Sequence, residues 1–154
     1  MGRLLGVVVV LAALAAAPAA SSAPAARAAD CQPTPTDAFG PFGRGMPPLR
    51  AKTGTGHVLT GVILSALGCK PIRGARVEFW QSDKDGVYTR RLSGTVITNG
   101  AGRFRYESPF PAASEPHMHI RVVAPDFRVL RTRFEPAPGE RVGTVRLVLV
   151  PEDV

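Results

Sequence analysis

Arg76-Val77-Glu78-Phe79 and Arg103-Phe104-Arg105-Tyr106 decide the fold. In each stretch a charged side chain alternates with an apolar one. Successive side chains of a strand point to opposite faces, so Val77, Phe79, Phe104 and Tyr106 turn inward and the charges outward. Residues 144–150 repeat the pattern, with Val145, Leu147 and Leu149 set against Arg146, Val148 and Val150. Working outward, short apolar segments at 57–64, 76–80, 95–98, 102–106, 117–123, 129–134 and 142–150 read as strands. Turn residues at 71–74, 83–86 and 99–102 separate them. No amphipathic stretch of helical period reaches a dozen residues. The reading is all-β: a single β-sandwich of about seven strands.

Residues 1–29 stand apart. Arg3 precedes an apolar, Ala-rich run, and Ala26-Arg27-Ala28 offers a small-residue cleavage signal. That is the pattern of a secretory signal peptide. Asp30 next to Cys31 argues against a lipoprotein site, and no later segment is apolar for long enough to cross a bilayer. The mature chain is therefore expected to be secreted and to lack a transmembrane segment. Residues 30–56, rich in Pro, Gly and Thr, read as an extended N-terminal arm, and residues 57–154 as the sandwich domain. About 125 residues remain after cleavage, enough for one domain.

The chain carries a net charge of +7, of which Arg3 and Arg27 supply two, leaving +5 on the mature part. The arginines are spread along strands instead of clustering with aromatics, and export places the protein away from the genome. No nucleic-acid partner is expected; the charge reads as solvated strand faces, suited to steering anionic aromatic substrates or touching an acidic surface. Cys31 and Cys69 are the two cysteines. An even count in an oxidising compartment favours one disulfide between them.

His117-Met118-His119 can present two imidazoles to one metal ion while Met118 turns into the core. Imidazole suits iron, zinc, copper and nickel alike, and two histidines on one strand face are often plain surface residues. A phenolate from Tyr88 as third ligand tilts the choice to ferric iron, because a hard anionic donor stabilises a high-charge ion.

Thr34-Pro35 followed by Gly40-Pro41-Phe42 resembles the T-P-x-x-x-x-G-P-F segment of intradiol ring-cleavage dioxygenases. The resemblance runs on through Gly61-Val62-Ile63, the stretch 69–81, Asp83-Lys84-Asp85-Gly86-Val87-Tyr88, and Thr98-Asn99-Gly100-Ala101-Gly102-Arg103-Phe104. It ends in Pro116-His117-Met118-His119 and the strand 129–134. It implies a non-haem Fe(III) cofactor held by Tyr88, His117 and His119, which are then both the metal ligands and the catalytic residues. It also implies O2 and a small aromatic diol as substrates. The sequence departs from the family pattern where the second tyrosine ligand belongs. Residues 107–116 contain no Tyr, and Ser114 stands where the family has an Arg. Tyr106 shares the inward face with Phe104 and is rejected as a ligand, and Trp80 reads as a core aromatic under the site. The residues 89–96 read as a shortened loop. These departures leave a second class open: a catalytically retired sandwich serving as a binding or cell-surface module. A lone small sandwich with exposed edges also leaves room for a homodimer.

Overall fold

The computed structural model describes Gly2, residues 31–37, 40–42 and 45–153. The signal-peptide reading of 1–29 falls, Gly2 apart, outside the described residues. The described chain is all-β, with seven strands: β1 (His57–Ser65), β2 (Arg76–Ser82), β3 (Tyr88–Ile97), β4 (Arg103–Ser108), β5 (Met118–Val123), β6 (Leu130–Phe134) and β7 (Val142–Leu149). They form two sheets, β4-β1-β7 and β3-β2-β5-β6. Only β1 and β7 run parallel. No helix among the described residues is long and apolar enough to cross a membrane.

The alternation predicts the core. Leu59 and Ile63 of β1, Val77 and Phe79 of β2, Phe104 and Tyr106 of β4, Ile120 and Val122 of β5, and Leu147 and Leu149 of β7 are buried in one cluster between the sheets. Tyr106 stacks on Phe79 at 4.2 Å, and its hydroxyl meets that of Thr53 at 3.0 Å. Its rejection as a metal ligand therefore has a physical basis: the ring faces the inner core. Trp80 is nearly as buried, but it points the other way, onto the outer face of the four-stranded sheet.

One stretch differs from its sequence reading. Residues 89–96 are not a loop, because β3 starts at Tyr88 and runs unbroken to Ile97. Polar Thr89, Arg90 and Arg91 hid it, since the first half of β3 faces solvent and lacks an apolar partner face. A register shift between Trp80 and Ser82 accommodates the entry of β3 beside β2.

The arm straps the sandwich. On one side the Thr34 amide donates to the Val148 carbonyl (3.1 Å) and the Asp37 amide to that of Arg131, touching β7 and β6. On the other side the Arg50 amide donates to Thr95 of β3 (3.0 Å), and the Thr53 amide to Glu107 of β4 (2.8 Å). All four edge strands thus receive arm bonds. Each edge expected from sequence to be exposed therefore carries at least one bond from the arm.

Cys31 and Cys69 are bonded, 38 residues apart, and Cys31 is buried against Leu64 and Val148. The bridge fastens the arm to the β1–β2 connection. By loop-closure entropy it contributes about 3–4 kcal/mol. The unfolded, unreduced protein should titrate no thiol, and Cys31→Ser/Cys69→Ser should lower unfolding stability by that amount in urea. Two titratable thiols in the unreduced protein would remove the bridge.

His57 is 1% exposed, packed on Phe110 and Phe134, and neither ring nitrogen has a hydrogen-bond partner among the described residues. Burial pushes its pKa below the usual 6.5, against a weaker upward pull from Glu140. The unfolded chain therefore binds a proton that the folded chain refuses, so stability falls as pH drops below about 6.5. His57→Leu should flatten that fall, because an apolar group of similar size replaces an unsatisfied polar one. Equal acid sensitivity of the two proteins in urea unfolding would show that His57 is not the group responsible.

Candidate metal centre

The outer face of the four-stranded sheet carries Glu78 and Trp80 from β2 and His119 and Arg121 from β5, in the same alternation that sends Val77, Phe79, Ile120 and Val122 inward. Trp80 pairs with His119 across the strands. Tyr88 opens β3 just after the Asp83–Gly86 turn, in which Asp83 Oδ1 accepts from the amides of Asp85 (3.0 Å) and Val87 (2.9 Å). His117 lies one residue before β5.

The structure brings all three candidate ligands together. Tyr88 Oη is 3.2 Å from His117 Nε2 and 3.0 Å from His119 Nε2, and the two Nε2 atoms are 3.1 Å apart. Neighbouring donors each roughly 2.0–2.2 Å from one ion stand that far apart, at angles between octahedral and tetrahedral. The donor set therefore fits a single metal ion, which Tyr88, His117 and His119 would hold.

The surroundings prepare the imidazoles. His117 Nδ1 lies 2.7 Å from the Glu115 carbonyl, which can only accept, so Nδ1 holds the proton and Nε2 presents its lone pair. His119 is 5% exposed, and its pKa is pushed down to about 4, first by burial and then by His117 beside it. It is a neutral imidazole, the form that binds metal. Among the described residues no group of three or more His, Cys, Asp or Glu side chains is placed to hold a metal ion. The phenol is what completes this cluster.

The arm forms the roof. Phe42 sits edge-on to both His119 and Trp80, each at 5.6 Å between ring centres. A Cβ on Gly40 would come within 2.8 Å of His119 Nδ1 and 2.6 Å of the Phe42 ring, so only glycine fits there. Behind the roof, Glu78 is wholly buried. Arg121 Nε pairs with its Oε2, while Arg76 Nε lies 3.1 Å from Oε1 as an ion pair without hydrogen-bond alignment. Arg121 also donates to the Phe42 carbonyl (3.2 Å) and lies 5.3 Å over the Trp80 ring. No local sequence signal marks this clamp; the pairing of Glu78 with Arg121 across β2 and β5 is visible only once the register is known.

The stretch expected to carry a second tyrosine is anchored elsewhere. Gln81 Nε2 donates to the Pro109 carbonyl (3.1 Å), Phe110 packs on His57, and Ser114 is exposed.

No protein-family profile and no curated protein matches this chain. Solved structures do. The dioxygenase domain of a dioxygenase–carbohydrate-binding fusion from Streptomyces sp. SirexAA-E superposes with a TM-score of 0.67 at 25% identity, over 78% of this chain and 99% of that one. An intradiol ring-cleavage dioxygenase from Tetranychus urticae gives 0.70 at 19% identity, over 79% and 96%. Hydroxyquinol 1,2-dioxygenase from Pseudomonas putida DLL-E4 gives 0.64 at 19% identity, over 78% and 67%. The chain has the fold of the intradiol ring-cleavage dioxygenases.

Proposed function

We propose that this chain is an exported non-haem ferric iron dioxygenase that opens catechol-type aromatics between their two hydroxylated carbons with O2. The observation that carries the reading is the convergence of Tyr88 Oη, His117 Nε2 and His119 Nε2 within 3.2 Å of one another. A sandwich scaffold has no need of that arrangement. Ferric iron bound there supplies Lewis acidity and a template for the two substrate oxygens. Tyr88, His117 and His119 would hold the metal. The Glu115 carbonyl fixes the His117 tautomer. Phe42 and Trp80 keep water from one side of His119. With no tyrosine in residues 107–116, that stretch would supply no second phenolate. The Cys31–Cys69 bridge supports export, since such bonds persist in oxidising compartments.

Oxygen uptake tests the reading. Iron-loaded protein should consume O2 in step with catechol, and His119→Ala should abolish the uptake while retaining the fold. A wild-type protein that binds iron and catechol but takes up no oxygen would be the retired binding module instead.

A further inference from the structure

Two cavities flank the donor triangle, and their charges differ. One, of about 220 Å³, opens beside His117 and is lined by Glu115, Arg133 and Glu135. Its guanidinium is already engaged, 2.7 Å from Glu135 and 3.6 Å from Asp37. The other, of about 240 Å³, lies between the arm at Gly45–Pro47 and the start of β3, with Tyr88 in its wall. Trp80, Met46 and Pro47 give it apolar sides, and Thr89, Arg90 and Ser93 a polar end. No carboxylate lines it. The Thr89 hydroxyl is buried without a hydrogen-bond partner among the described residues. Exposed Arg90 has no carboxylate partner among them either. Arg50, whose Nε donates to the Ser93 carbonyl at 2.9 Å, adds a second positive charge behind the wall.

We propose that the cavity beside Tyr88 receives the ring substituent of the substrate and selects catechols whose side chain is short, apolar at its root and anionic at its tip. The inference rests on the functional reading above. Size sets the first limit: 240 Å³ falls below the usual range for a whole drug-sized ligand, so the space suits a chain of a few heavy atoms and not a second ring system. Chemistry sets the second. A buried hydroxyl with no partner and a guanidinium at the rim both favour an acceptor oxygen carrying negative charge. The carboxylates of the opposite cavity repel the same group, which fixes the orientation of the ring.

Anaerobic titration of the iron-loaded protein, followed by its visible spectrum, tests this with three probes: catechol, dihydrocaffeate and dihydrocaffeate methyl ester. The ester keeps the ring and chain and removes only the charge. Wild type should bind the acid roughly fivefold to tenfold more tightly than the ester. Arg90→Gln, at an exposed position where folding is not at stake, should bring that ratio close to one, and Thr89→Val should weaken the acid more than the ester. In the metal-free protein, the acid should shift the Met46 methyl signal in NMR spectra. If catechol titrates but acid and ester bind alike in wild type, the substituent site is overturned while the functional reading stands. If none of the three perturbs the iron-loaded protein, both fall.

Discussion

Tyr88→Phe is expected to strip the iron-loaded protein of its visible colour and to lower its ferric iron affinity by at least about tenfold. Only the phenol supplies a charge-transfer donor, and only it distinguishes this cluster from a bare histidine pair. The substitution keeps the ring and leaves no cavity. Tyr88 opens a strand and is not among the residues of the inner core, so the metal-free variant should unfold at the same urea concentration as wild type. Unchanged colour and iron content in Tyr88→Phe would show that the phenol is not a ligand. The three-atom contact would then be a hydrogen-bonded cluster, and the binding-module reading would become the better one.

The second large effect lies behind the site. Glu78 is fully buried, with Arg121 paired to it and Arg76 beside it. Glu78→Gln leaves the Arg121 guanidinium without its counter-charge and should destabilise the fold by about 3–5 kcal/mol in urea unfolding. Glu78→Leu/Arg121→Met, which removes both charges at similar volume, should recover most of that loss. Because Arg121 also holds the Phe42 carbonyl and covers Trp80, the loss should be felt in the roof. Trp80 is the single tryptophan of the chain, so its fluorescence reads the roof directly. A single variant as stable as wild type, with unchanged emission, would mean that the clamp carries no energy.

The parts of this fold that were legible in the sequence are those written in a local period. Phe104 and Tyr106 declare their face by alternation, and His117 and His119 declare theirs by the same rule. The entry to β3 was not legible, because Thr89, Arg90 and Arg91 carry no inward apolar partner at that end of the sheet. An extended arm on the domain was legible from its Pro, Gly and Thr, but its partners Val148, Arg131, Thr95 and Glu107 were not. Long-range pairing of irregular segments leaves no periodic trace. The Glu78–Arg121 clamp, the burial of His57 against Phe110 and Phe134, and the Glu115 carbonyl on His117 were hidden for the same reason: each depends on register or packing. The donor triangle stands between these cases. Its residue types were readable, whereas their meeting within 3.2 Å required the β2–β3 and β2–β5 registers to be in place.

Labelled dioxygen tests most directly whether Tyr88, His117 and His119 hold an iron that opens the catechol ring. Iron-loaded wild-type protein, given catechol under an atmosphere of isotopically labelled O2, should yield the ring-opened diacid carrying both labelled atoms, one in each new carboxyl group. Catechol recovered unchanged, oxidised to quinone without label, or opened to a product whose new carboxyl oxygens come unlabelled from water would contradict it.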